Sequence, residues 1–208
     1  VLLLSVGADL PYFCGYEAMP LERLTMLVVP RDGDVHLVVP HLEAPRVVER
    51  PEVFDLVTWR DGEDPIARVV DLVGGAATAA VGDQMWAGFL VDLGTACPTL
   101  SFTRASEVTA PLRMVKDADE VEALRRAGAA VDRILADVQA GQVPLVGRTE
   151  ADVAAQIGRR ILDEGHHRIN FVIVASGPNA ASPHHEPGGR VIEDGEGVLF
   201  VIGGTMAG

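Results

Sequence analysis

The chain has 208 residues, 48% hydrophobic and 23% charged, the composition of a globular chain long enough for one large or two small domains, and unlike that of a disordered segment. Its uninterrupted apolar runs are only a few residues long, against the ~20 needed to cross a bilayer, so no membrane helix is expected. Thirty Asp and Glu against 17 Lys and Arg leave a net charge of -13, with both halves acidic, which argues against nucleic acid as a partner.

Cys14 and Cys97 are too few and too far apart for a disulfide scaffold and read as two thiols of a cytoplasmic protein. Residues 1–6 form a buried-strand pattern. A loop over 7–16 follows, packed by the rings of Tyr12, Phe13 and Tyr16, or alternatively serving as a lip that faces substrate. Runs at 24–29 and 35–39 are β-rich, and Asp32-Gly33 between them is a strong hairpin signal. His36 and His41 flank the second run. With no Cys or carboxylate at ligand spacing, they read as surface or edge histidines. A short helix is predicted over 43–50 and a strand over 53–59. Pro65 opens a helix over 65–73, at a position where a missing N–H costs nothing. A strand at 78–81, a helix at 86–93 and a weak strand at 100–103 complete the alternation of an α/β domain with a mixed sheet, residues 1–110.

The pattern changes at Pro111, and residues 112–208 read as a second unit. Asp117 and Glu120 have the spacing of a capping box for a helix over 117–138. Its apolar stripe is Val121, Leu124, Val131, Leu135 and Val138, with Glu122 and Arg126 paired outside. Gly141 and Pro144 end it. Thr149 with Asp152 caps the next helix, whose buried stripe is Val153, Ile157 and Ile161, and His166-His167 meet its negative end. Two strands close the sequence, at 171–174 and 198–202, the second stopping at Gly203-Gly204. Two long helices followed by strands make an α+β arrangement.

Several chemistries have no signature here. Gly203-Gly204 with Gly208 lacks the Lys-Ser or Lys-Thr of a phosphate loop, and Gly74-Gly75 has no paired glycine at dinucleotide spacing. No G-x-S-x-G and no H-E-x-x-H occurs.

The segment Ser176-Gly177-Pro178-Asn179-Ala180-Ala181-Ser182-Pro183-His184 resembles the signature of the pita-bread metallopeptidases: prolidase, aminopeptidase P and the methionine aminopeptidases. Leu112-Arg113-Met114-Val115-Lys116 looks like the entry to that catalytic domain, and Gly195 to Gly204 looks like its next strand. The front of the chain, with Tyr12 to Tyr16, is similar to the creatinase-type N-terminal domain, which narrows the resemblance to Xaa-Pro dipeptidases, aminopeptidase P and creatinase. What this implies is a creatinase-type α/β domain followed by an incomplete α+β pita-bread domain. It further implies two divalent metals, manganese or cobalt, held by two Asp, one His and two Glu, activating a bridging water. His184 matches the family's histidine outside the metal shell, which binds or stabilises the tetrahedral intermediate. His185 matches no family position.

The departure from the family is as specific as the match. Its first metal-binding Asp falls at Val201, which has no donor atom, and the other four ligands belong beyond Gly208. Glu193, Asp194 and Glu196 sit in the preceding turn and are expected to face solvent. The chain, which begins at Val1 inside an apolar run and ends at Gly208, is expected to be part of a larger protein. By itself it is expected to bind no metal, to leave peptides uncleaved and to self-associate through uncovered sheet. Three readings stand: an Xaa-Pro dipeptidase lineage acting on peptides, a degenerate homologue acting as scaffold or subunit partner, and a metal-independent creatinase-like hydrolase.

Overall fold

The computed structural model describes residues 1–206; Gly208, the last member of the glycine pattern above, lies outside them. The chain divides into two compact units, with the division between Val115 and Lys116.

The first unit is built on β1 (Leu2–Leu4), α1 (Asp9–Cys14), β2 (Met26–Val29), β3 (His36–Pro40), β4 (Asp55–Trp59), α2 (Pro65–Val73), β5 (Thr78–Val81), α3 (Ala87–Ala96), β6 (Ser101–Arg104) and α4 (Ser106–Met114). Its six strands run in the order β4-β3-β2-β1-β5-β6. The pairs β1/β2 and β2/β3 are antiparallel, and β3/β4, β1/β5 and β5/β6 are parallel. This is the mixed sheet predicted from the alternation. The β2–β3 hairpin turns through Gly33 at φ 112°, a conformation that Asp32-Gly33 supplies cheaply.

Alternate residues of each strand serve opposite faces. One face gathers Leu3, Met26, Val28, Val38 and Trp59 under Ile66, Val69 and Val73 of α2 and Leu93 of α3. The other gathers Leu4, Leu27, Leu37 and Val39 with Leu10 and Cys14 of α1, Val47 and Phe54. The sheet is therefore buried on both sides.

Three helical segments depart from the sequence reading. The helix expected over 43–50 is a three-residue 3₁₀ turn, Ala44–Arg46. The segment read as an aromatic loop is α1, stopped by Gly15 at φ 74° with its amide bonded to the Pro11 carbonyl at 2.8 Å. Six residues are too short for a 3.6-residue period to show, and Pro11 sits in the first turn, where no amide partner exists anyway. Pro111, where the change of pattern was placed, lies inside α4. That helix is tied to α1: Asp9 accepts from the Thr109 hydroxyl at 3.0 Å and pairs with Arg113.

The second unit contains α5 (Ala118–Gln139), α6 (Glu150–Asp163), β7 (Arg168–Ser176) and β8 (Val198–Thr205). The capping box forms as the spacing predicts, Glu120 N–H donating to Asp117 at 2.9 Å and Asp117 N–H to Glu120 at 2.9 Å. Thr149 accepts from the Asp152 amide at 3.1 Å and caps α6. Glu122 pairs with Arg125 at 3.6 Å instead of Arg126, both reachable from one helix face. His166 meets the end of α6, its ring 3.2 Å from the Ile161 carbonyl, whereas the His167 amide donates to Thr205.

The strands β7 and β8 are antiparallel. Val172, Val174, Val198, Phe200 and Ile202 face Ile134 of α5 and Val153, Ile157 and Ile161 of α6. β8 does not stop at the glycines but runs through them. A Cβ on Gly203 would lie 2.7 Å from the Phe171 ring, and one on Gly204 2.8 Å from both His166 and Ile161. These glycines are demanded by close packing, not by a turn.

Candidate functional site

The site is assembled at the end of β7, where Ser176 leads directly into a 3₁₀ turn over Gly177–Ala181. Gly177 has φ 50°, a backbone conformation that favours glycine, and a Cβ there would have to displace the Glu196 carboxylate at 2.4 Å and the Arg190 guanidinium at 2.8 Å. Glu196 folds back under this turn, pairing with Arg190 and accepting from the Glu193 amide at 3.0 Å. Of the three acids expected in solvent, Glu193 and Asp194 are exposed and Glu196 is not, because the guanidinium of Arg190 draws it in.

Beneath the turn lies a wholly buried carboxylate. Glu150, the first residue of α6, has no exposed surface. It accepts from the Ser176 amide at 2.7 Å, the Ser176 hydroxyl at 2.9 Å and the Asn179 amide group at 3.1 Å and 3.2 Å. His185 Nε2–H donates to its other oxygen at 2.7 Å. Burial by itself pushes the Glu150 carboxyl up. The Ser176 amide, His185, Asn179 and the Ser176 hydroxyl together overcome it and hold the group down at about 2. Its place at the positive end of α6 favours the same ionised form.

Sequence reasoning missed this network. Glu150 was not singled out, the helix start having been assigned to Thr149 and Asp152, and His185 was given no role. The signal that could have found them is the polar content of Ser176, Asn179 and His185 around an apolar strand end, since polar groups buried there need a common partner.

His184, the expected catalytic residue, is exposed one residue before the anchored His185 and has no side-chain partner among the described residues. Val201 lies in β8 opposite Ile173, on the face turned away from α5 and α6 and shared with Leu199 and Phe171. That face is apolar: Phe171 is 48% exposed, Leu199 and Val201 each 36%. The residues present do not fit a metal pair. Val201 offers no donor, and among the described residues no group of three or more His, Cys, Asp or Glu side chains is placed to share an ion. No helix of the described residues is long and apolar enough to cross a membrane.

The chain thus holds a mixed sheet covered on both faces, followed by a helix pair backing an antiparallel ribbon that ends in a histidine-bearing turn. Residues 1–115 match the creatinase/prolidase N-terminal domain and residues 122–208 match metallopeptidase family M24. The chain belongs to the two-domain pita-bread metallopeptidase family, in the Xaa-Pro dipeptidase/prolidase lineage.

Among its relatives is the probable dipeptidase PepE of Mycobacterium tuberculosis, 43% identical over 208 residues that make up 98% of this chain and 55% of the relative. The crystal structure of dipeptidase PepE from Mycobacterium ulcerans superposes with a TM-score of 0.88 at 43% identity, over 99% of this chain and 56% of that one. Prolidase from Thermococcus sibiricus gives 0.88 at 30% identity, over 99% and 57%. The chain thus spans about half the length of the relatives it matches.

Proposed function

We propose that these residues are the substrate-side framework of an Xaa-Pro dipeptidase-type peptidase, cleaving the bond before proline, and that by themselves they do not catalyse it. The observation that carries this reading is the anchored turn. Glu150 fixes Ser176, Asn179 and His185 with an ionised, fully buried carboxylate, and this holds the backbone on both sides of His184 while its imidazole stays free. An imidazole N–H on a fixed backbone can donate to a carbonyl oxygen as it gains charge, with little reorganisation. In this reading residues 1–110 act as the N-terminal domain and residues from 112 onward as the front of the catalytic domain, in a cytoplasmic homo-oligomer.

The family resemblance implies a paired manganese or cobalt site that would supply the activated water. The described residues do not provide that site. The apolar environment of Val201 favours the second reading, a non-catalytic homologue serving as scaffold or subunit partner. A metal-independent, creatinase-like reaction has no observation in its favour beyond the missing carboxylate.

The test is hydrolysis of Ala-Pro by the 208-residue chain in excess manganese, with calorimetric titration of the metal. Neither turnover nor stoichiometric binding is expected, and Val201→Asp alone should restore neither. Metal-dependent turnover that survives removal of trace peptidases, and that His184→Ala leaves unchanged, would overturn both the inactivity and the role of His184.

A further inference from the structure

The first unit holds a cleft that no part of the peptidase reading uses. β3 and β4 are adjacent and parallel, so both end at the same edge of the sheet, at Pro40 and Trp59. Beyond β3 the chain passes over one face, where Val47 and Phe54 join the core of Leu37 and Val39. Beyond β4 it passes over the other, where Ile66, Val69 and Val73 cover Trp59. Connections that diverge to opposite faces leave a crevice at the carboxyl ends of the two strands, the place where open α/β sheets accept ligands.

Here the crevice is a cleft of about 310 Å³ lined by Arg23, His41, Leu42, Trp59, Arg60 and Asp61. That volume is at the lower end for small-ligand sites, roughly 300–1,000 Å³. The His41 amide donates to the Trp59 carbonyl at 2.7 Å, which fixes the two strand ends against each other. The indole N–H of Trp59 is taken by the Leu24 carbonyl at 3.0 Å, and the residue, 7% exposed, presents the cleft with only a narrow edge that has no free donor. Leu42, 68% exposed, adds a second apolar wall.

The charges in the cleft are unevenly committed. Arg23 is spent on Asp61 at 3.2 Å and Glu22 at 3.9 Å. Glu63 nearby is occupied by the Arg60 amide at 2.8 Å and by Arg68 at 3.4 Å. The guanidinium of Arg60 and the imidazole of His41 have no partner among the described residues. In a chain of net charge -13, two uncommitted basic groups at the mouth of an apolar-walled crevice are a specific arrangement.

We propose that this cleft binds a small organic carboxylate with an apolar body, of amino-acid or short-peptide size. Arg60 and His41 receive the carboxylate, and the apolar body lies on Trp59 and Leu42. A planar guanidinium matches a carboxylate through paired N–H donors. Simple inorganic anions would gain nothing from the two carbon walls.

Trp59 is its own reporter. The chain has two tryptophans, and Trp86→Phe leaves only the one in the cleft. The Trp86→Phe chain is titrated with N-acetyl-leucine, with N-acetyl-leucinamide as the neutral isostere and with inorganic phosphate, following emission and heat. The expected result is saturable binding of N-acetyl-leucine, weakened about tenfold or more by Arg60→Gln and by the amide, as befits loss of a charge-assisted hydrogen bond. Arg60 is exposed, so its replacement leaves the fold intact. The proposal is overturned by silence in both emission and heat, by equal binding of the amide, by unaltered affinity in Arg60→Gln, or by phosphate binding as tightly as the carboxylate.

Discussion

His185 donates from Nε2 to Glu150 across 2.7 Å, joining two residues 35 positions apart, one at the start of a helix and one in a loop. The carboxylate has no solvent to fall back on, so each donor removed leaves an unsatisfied buried charge. Glu150→Gln keeps the shape but turns an amide NH₂ toward groups that are themselves donors. The expected cost is about 2–4 kcal/mol of unfolding free energy, with His185→Ala costing about 1–3 kcal/mol, both read from urea denaturation. A Glu150→Gln chain as stable as its parent would show that the network is dispensable.

The same carboxylate sets an acid limit. Its folded-state pKa is depressed to about 2 from an ordinary 4.5, so the unfolded chain takes up the proton first as pH falls. The stability it contributes is complete above about pH 4.5 and is lost progressively as pH falls toward 2. Denaturation profiles between these limits should slope more steeply for the parent than for Glu150→Gln, which has no such group to titrate. Parallel slopes would contradict the ionised assignment.

Two glycines predict opposite signs for the same substitution. Gly204→Ala drives a methyl into His166 and Ile161, each 2.8 Å from the added carbon, and should destabilise by about 1–3 kcal/mol. Gly128 lies on the exposed side of α5 with nothing within 4 Å of an added Cβ. There Gly128→Ala should stabilise by about 0.5–1 kcal/mol, through the higher helix propensity of alanine. Thermal denaturation of the two variants checks the pair.

The open face of the β7–β8 ribbon predicts association. Phe171, Ile173, Leu199 and Val201 form one apolar surface, and the ribbon has only two strands among the described residues. Light scattering should give a mean mass above that of the monomer, falling when Leu199→Lys and Val201→Lys are combined. A monodisperse monomer at high concentration would refute this.

Much of the architecture was written locally. The capping box of Asp117 and Glu120, the stripe of Val153, Ile157 and Ile161, and the Asp32-Gly33 hairpin each depend on residues within a few positions, so period and cap chemistry were enough. The Ser176 to His184 segment was likewise legible as a motif, and Val201 as a place without a donor.

What the sequence could not disclose depends on residues far apart in the chain. Nothing local marks Glu150, and its burial becomes apparent only when the end of β7 and the turn after it deliver Ser176 and Asn179 from 26 and 29 positions away. Gly203 and Gly204 read as a strand end because turns and close contacts favour the same residue. Only the approach of Phe171, His166 and Ile161 shows that contact is the cause. The crevice at His41 and Arg60 needs two parallel strands whose exits diverge, a property of sheet order that no local window contains. Local propensity acts through neighbouring backbone and is visible in one dimension. Burial, close approach and the shared satisfaction of a charge exist only once distant segments have displaced the water between them.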